Sequence, residues 1–280
     1  MQRAINKVIL RALKEDLSDR DLTTNILFDK HKVSEAYIMT REKALICGAN
    51  IVKRIFRLLD PTMKVTCYKY DGDLATRNDK IITLKGKTRA LLSGERTALN
   101  FLSYLSGIST LTHQYVENVK PYKVQILDTR KTTPGLRVLE KMAVRTGGGI
   151  NHRFNLNEMV MIKDNHRIAH EREAPIQEAI ERVRRRTHKQ ICVEVDNMIE
   201  FNHALEAEPD IILLDNMDCA RMRKAVAKRN RLKKLCLLEA SGGVNLKTVR
   251  NIAKTGVDRI SIGALTHSPP TIDFTMEFVA

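Results

Sequence analysis

The chain has no tryptophan, and aromatic residues of all kinds make up only 5% of it. That scarcity weakens any reading as a nucleic-acid binder that stacks bases on aromatic platforms. Glycine-rich nucleotide signatures are missing as well. Neither GxGxxG nor GxxxxGK followed by Ser or Thr occurs, so dinucleotide and P-loop ATP folds lose support. Cys47, Cys67, Cys192, Cys219 and Cys236 are scattered, odd in number and without a CxxC pair, so neither disulfides nor a structural zinc site is expected. No apolar run reaches the length of a bilayer-spanning segment. The opening MQRAINKVILRALKEDL is no signal peptide, because Ala4, Ile5, Val8, Ile9, Ala12 and Leu13 recur at helical spacing with charges between them. A cytoplasmic location is expected.

What is present is ordinary globular composition: 280 residues, 43% hydrophobic and 29% charged, enough for one barrel-type domain or two smaller ones. The formal charge is +15. Much of the excess lies in ERVRRRTHK (181–189) and RMRKAVAKRNRLKK (221–234), which read as exposed helix faces. No zinc finger, helix-turn-helix or RNP motif accompanies them. The basic surface is therefore read as one that draws in anionic substrates, without specific nucleic-acid recognition.

The first hundred residues mix helices and strands irregularly. A helix over about 3–16 leads through DLTTN to the strand SEAYIMT. ALICG follows, then a helix over about 49–59, short strands near 63–69, 81–84 and 88–92, and a turn at Asp71-Gly72. SGERTALNFLSYLSG reads as a helix capped by Ser93, and a second helix over about 109–119 stops at Pro121. Beyond Pro121, VQIL, MVMI, ICVEV, IILL, LCLL and RISI alternate with helical patterns, which predicts a parallel sheet covered by helices. Polar groups follow every run: Asp128, Arg130 and Lys131; Lys163, Asp164, Asn165 and His166; Glu194; Asp215 and Asn216; Glu239 and Ser241; Gly263. Barrel enzymes build their sites at the carboxyl ends of parallel strands. An open doubly wound sheet would gather such groups at one switch point instead.

Arg130, Lys131, His152, Arg153 and Lys163 are candidate anion ligands, since guanidinium forks grip carboxylates through paired hydrogen bonds. The alternative is a set of structural salt bridges, for which local acids are too few. Glu194 and Asp215 suit Mg²⁺, directly or through water, or stabilise developing positive charge; they could also simply neutralise Lys131 and Lys163. Gly147-Gly148-Gly149 would let backbone approach a ligand or re-aim the chain. Ser241-Gly242-Gly243, before a helix opening near Asn245, and Gly263-Ala264 offer backbone N–H groups to a phosphate, with His267 as a further candidate. His31, His113, His170, His188 and His203 receive no role.

Taken in order, EDLSDRDLTT, SGERTALNFL, DTRKTTPGLR, GGGINHR, IKDNH, VEVD, ILLDN, EASGG and SIGALTHS resemble the quinolinate phosphoribosyltransferase family nearly end to end. The resemblance implies an N-terminal open-faced α/β sandwich (1–108) and a C-terminal six-to-seven-stranded α/β barrel (109–265), with the tail 266–280 packing back on the first domain. It implies transfer of phosphoribosyl from phosphoribosyl pyrophosphate to quinolinate with decarboxylation, supported by Mg²⁺, in a homodimer. Arg130, His152 and Arg153 would hold the quinolinate carboxylates, helped by Arg96 from the neighbouring subunit. Lys131 and Lys163 would serve both substrates, and Glu194 and Asp215 would face the ribose and the metal-bound pyrophosphate. Ser241, Gly242, Gly243, Gly263 and His267 would surround the 5′-phosphate. The chain departs from the family pattern at Asn155 (usually Gly), Glu158 (usually Asp) and Asp196 (usually Glu), and Asn155 puts the path of the 154–158 turn in question. A paralogous phosphoribosyl- or glycosyltransferase with another acceptor is the nearest alternative, and a basic nucleic-acid-binding protein on an inactive barrel is a remoter one.

Overall fold

A computed structural model describes residues 2–169 and 175–279. The strands, in chain order, are β1 (Val33–Thr40), β2 (Ala44–Leu45), β3 (Lys64–Cys67), β4 (Leu74–Ala75), β5 (Lys80–Lys87), β6 (Gln125–Leu127), β7 (Val160–Ile162), β8 (Ile191–Val195), β9 (Ile211–Asp215), β10 (Leu237–Ser241), β11 (Arg259–Ser261) and β12 (Phe274–Phe278). They belong to two compact units. One comprises Met1–His113, Thr132–Gly148 and Leu265–Ala280; the other comprises Gln114–Lys131 and Gly149–Ala264.

The first unit is built on an antiparallel sheet in the order β12-β1-β5-β3. β1 buries every second residue toward its end, Ala36, Ile38 and Thr40, which is what a strand with one face on a core requires. The carboxyl-terminal strand β12 pairs along β1 from Ala36–Phe278 to Thr40–Phe274. Helix Ala49–Leu59 buries Ile51, Val52, Ile55 and Phe56, and helix Gln2–Leu17 buries Ile5, Ile9 and Leu13, a single i, i+4 stripe. Ala4, Val8 and Ala12 fall beside that stripe and are not buried.

Local expectations change here. The strand expected at 88–92 and the two helices after it form one continuous helix, Thr88–Asn118. Ser93 lies inside it and caps nothing; its hydroxyl donates to Asp21 Oδ2 at 2.9 Å. Gly107 makes continuity possible where packing is tightest, since a Cβ there would lie 1.8 Å from the Pro270 carbonyl oxygen. Segment Thr132–Gly148, placed by the sequence in the second domain, groups with this unit through helix Arg137–Thr146. His170 lies outside the described residues.

The second unit is an all-parallel six-stranded sheet in the order β6-β11-β10-β9-β8-β7. Ile150 forms a parallel bridge to Leu127 on the free side of β6, where a seventh strand would stand. The strands read as continuous apolar runs because both faces are covered: β9 buries Ile211, Ile212, Leu213 and Leu214 before Asp215 emerges at its tip. Across the sheet Glu194 and Glu239 both register with Leu213, and Ser241 registers with Asp215 two residues further along. With a side-chain period of two, these residues share one face in successive layers. Among the described residues no helix is long and apolar enough to cross a membrane.

Candidate active site

The strand tips of the second unit open onto a cavity of about 580 Å³. Arg130 and Lys131 follow β6, His152 and Arg153 follow the Ile150 bridge, and Lys163 follows β7. Glu194 and Asp215 stand at the ends of β8 and β9, and Ser241, Gly242 and Gly243 leave β10. The folding of one parallel sheet thus brings ten sequence-predicted residues to one wall. Gly263 stands just beyond β11 and does not line this cavity. His267 belongs to the first unit, its Nδ1 2.7 Å from Ser268 Oγ. Arg96 is exposed on helix Thr88–Asn118 and lines a different cavity with Glu15, Asp16, Asn100 and Tyr104.

Four permanent cations face three carboxylates around this wall. Lys163 Nζ meets Glu194 Oε2 at 2.5 Å. Burial, and then the neighbouring Arg130 guanidinium, hold the Arg153 pKa below its ordinary value. Arginine stays charged through such shifts, so two like charges are being pressed together. Arg153 is fixed by its own Nη1, which donates to the Met159 carbonyl at 2.9 Å, and by its backbone N–H, which donates to His152 Nδ1 at 2.8 Å. An accepting Nδ1 leaves the other ring nitrogen, Nε2, to carry the hydrogen. Nε2 points at Glu239 Oε1, 3.3 Å away.

Two acids that the sequence suggested as rim groups are instead buried foundations. Asp128 and Glu239 are both 0% exposed. Asp128 accepts from the His152 backbone N–H at 2.8 Å and from Asn151 Nδ2 at 2.6 Å, tying the tip of β6 to the His152 segment. Glu239 lies between His152 and Arg259, whose Nε is 3.3 Å from Oε2. Burial alone would raise the Glu239 pKa, but the His152 imidazole, with Arg259 and Ser261, outweighs it and leaves the carboxyl below its ordinary value. The spacing of these acids after apolar runs marked them as strand-tip residues; their burial and their partners show them to be structural.

The glycines divide by role. Gly242 has φ +91°, and a Cβ there would stand 2.1 Å from Asn216 Oδ1, so no other residue fits without moving the β9 and β10 tips. Gly243, at φ +61°, has open space around it, consistent with a backbone exposed to a ligand. Asn245 forms a turn, accepting from Lys247 N at 3.0 Å, and the helix expected there starts only at Val249. Gly147 serves packing instead: a Cβ would lie 2.5 Å from the Ser109 carbonyl oxygen. The turn with Asn155 is closed by side chains, Glu158 Oε2 accepting from Phe154 N at 2.6 Å and Asn155 Oδ1 from Asn157 N at 2.8 Å.

Among the described residues no cluster of three or more His, Cys, Asp or Glu side chains is arranged for a metal. Glu194 and Asp215 offer two carboxylates. That set suits Mg²⁺, which retains waters and takes substrate phosphate oxygens as further ligands, and does not suit a cation held by protein alone.

A strand-tip cavity that joins clustered cations, two acids and a glycine loop defines an anion-handling α/β-barrel enzyme. Comparison with known proteins narrows the class. Residues 21–106 match the model of the quinolinate phosphoribosyl transferase N-terminal domain, and residues 108–277 match that of its C-terminal domain. The chain belongs to the quinolinate phosphoribosyltransferase family. It is 40% identical to a probable nicotinate-nucleotide pyrophosphorylase [carboxylating] of Synechocystis, over 95% of this chain and 90% of that one. It is 39% identical to a protein of the same name from Bacillus subtilis, over 98% and 93%. The solved nicotinate-nucleotide pyrophosphorylase of Francisella tularensis superposes with a TM-score of 0.93 at 35% identity, covering 100% of this chain and 97% of that one.

Proposed function

We propose that the chain transfers the phosphoribosyl group of phosphoribosyl pyrophosphate to quinolinate, releasing pyrophosphate and carbon dioxide and forming nicotinate mononucleotide for NAD biosynthesis. The observation that carries this reading is the pair Arg130 and Arg153, two guanidiniums lining one cavity, where the Arg130 charge lowers the Arg153 pKa. A rigid diacid would place one carboxylate before each fork. His152 completes the same wall while its ring nitrogens steady Arg153 and face Glu239.

With both substrates bound, the pyridine nitrogen attacks the anomeric carbon as its bond to pyrophosphate breaks. The sugar then carries oxocarbenium-like positive charge, which Glu194 and Asp215 stabilise from the tips of β8 and β9. Lys131 and Lys163 hold two mutually repelling anions in attack geometry, the largest task the site performs. The exposed backbone of Gly242 and Gly243, with Ser241, receives the 5′-phosphate, helped by Gly263 after β11. Mg²⁺, held by Glu194 and Asp215 directly or through water, would neutralise charge on the departing pyrophosphate. The quaternised ring nitrogen then stabilises the electron pair left at C2 when the C2–carboxylate bond breaks, and C2 takes a proton from solvent.

In this reading the working unit is a homodimer, with the exposed Arg96 of one subunit completing the site of the other. Five free cysteines suit the reducing cytoplasm. The test is incubation with quinolinate, phosphoribosyl pyrophosphate and Mg²⁺ while carbon dioxide and nicotinate mononucleotide are measured. Transfer to another acceptor without carbon dioxide would reassign the chain to a paralogous transferase. Salt-sensitive binding of DNA or RNA without any turnover would reject the enzymatic reading altogether.

A further inference from the structure

The first unit contains a second cationic cavity that the transferase reaction does not use. Its volume is about 550 Å³, and Lys53, Arg54 and Arg57 line it beside Gln2, Asn50 and the apolar side chains Ile5, Ile51, Leu58 and Met142. The three cations lie on consecutive turns of helix Ala49–Leu59, on the flank left by its buried stripe. Among the described residues none of them forms a salt bridge.

The lining acid, Asp71, is already committed, accepting from the backbone N–H of Gly48 at 2.8 Å and of Ala49 at 2.9 Å. It closes the helix amino end, so an anion in this cavity would meet side-chain cations rather than helix amides. Arg54 supplies the most specific sign. Its Nε is shielded from water and has no hydrogen-bond partner among the described residues. Arg54 as a whole is half-buried, and an unmatched guanidinium N–H calls for a partner that the described residues do not supply. A solvated basic helix face, the bland explanation for three cations in a row, would leave that donor in water.

We infer that this cavity binds a phosphorylated small molecule of nucleotide size, with its phosphates on Lys53, Arg54 and Arg57 and its ring against Ile5, Ile51, Leu58 and Met142. Three cations exceed what a monocarboxylate needs, and the apolar wall distinguishes an organic phosphate from the inorganic ion.

Cys67, which does not line the transferase cavity, provides a reporter. Burial raises its thiol pKa, while Lys53 and Arg57 pull it down and Asp71 adds to the rise. A bound phosphate neutralises those two cations and makes the thiolate scarcer. The full-length protein would be alkylated with iodoacetamide in the presence of adenosine diphosphate or inorganic pyrophosphate, and each cysteine followed by peptide mass spectrometry. The expected result is that adenosine diphosphate slows Cys67 alkylation about threefold, that pyrophosphate does so less, and that Cys219 is unaffected. In K53Q/R57Q, with an unchanged Tm and Cys219 rate, the slowing disappears. Equal protection by pyrophosphate would replace the organic ligand with an inorganic one and overturn the role given to the apolar wall. No protection by either probe at millimolar concentration, or protection that persists in the double variant, would overturn the site.

Discussion

Glu239→Gln isolates the buried foundation of the site, because it keeps the side-chain volume and removes only the charge. The carboxylate is 0% exposed. Its ionic partner Arg259 keeps 13% of its side chain in water. Removing one member of a buried ion pair typically costs about 3–5 kcal/mol. The small residual hydration of Arg259 argues for the lower end, about 3 kcal/mol. Catalysis should suffer less. His152 loses an orienting contact, and Arg153 is steadied less well through its backbone; a neutral hydrogen bond of this kind contributes about 1 kcal/mol. That corresponds to roughly fivefold in kcat/KM. Urea denaturation followed by circular dichroism measures the first quantity, and carbon dioxide release at a temperature where the variant is folded measures the second. The pH dependence gives an internal control. Glu239 has a folded pKa below its ordinary value, so its contribution is complete above the unfolded-state pKa and is lost as pH falls through the folded value. Wild type should therefore lose more stability than the variant on acidification from pH 6 toward 3. A variant within 1 kcal/mol of wild type, with parallel acid profiles, would show that Glu239 is not the anchor its burial indicates.

Arg130→Ala should leave the Tm nearly unchanged and lower kcat/KM by about 2–5 kcal/mol, or some thirty- to several-thousandfold; near-normal turnover would refute its grip on the diacid. Gly242→Ala should lose roughly 1–2 kcal/mol from the left-handed backbone alone, and more from the 2.1 Å approach to Asn216, with KM for phosphoribosyl pyrophosphate rising more than KM for quinolinate. Chelation of Mg²⁺ should abolish turnover without changing the circular dichroism spectrum, because a metal held by two strand-tip carboxylates and substrate oxygens does not staple the fold. Mixing Arg96→Ala with Arg130→Ala, each inactive alone, should restore about a quarter of wild-type activity if subunits exchange and each site draws on both chains. No recovery after exchange would leave Arg96 outside the neighbour's site.

The parallel sheet was legible because its strands are covered on both faces and therefore stand out as apolar runs. All six predicted runs contain or overlap a strand of the second unit. The first unit was harder to read. Residues 88–92 carry the threonine and leucines of an exposed strand, yet they wind into the start of a long helix whose interior serine and glycine mimic boundaries. Local propensity cannot see Pro270 packed against Gly107 or Thr112 against Gly147, contacts between residues far apart in the sequence. Grouping of Thr132–Gly148 with the first unit is likewise a matter of packing, with Tyr104 donating to the buried Glu140 at 2.7 Å.

Within the site, sequence located functional groups at strand tips but could not sort rim from foundation, since both follow an apolar run. Burial and the ionic partner do the sorting. Glu239 and Glu194 sit in the same row and both register with Leu213, but Glu239 also registers with Arg259 and is 0% exposed, whereas the Glu194 side chain keeps 15% of its surface in water beside Lys163. The division has a functional consequence. Arg130 and Arg153 line one cavity as like charges, and a flexible loop would let them part. Asp128 and Glu239 tie down the segment that carries His152 and Arg153, and in the proposed reading a diacid would relieve the repulsion. In the proposed reading, discrimination against a monoacid would follow, because one carboxylate would satisfy one guanidinium and leave the other facing a like charge.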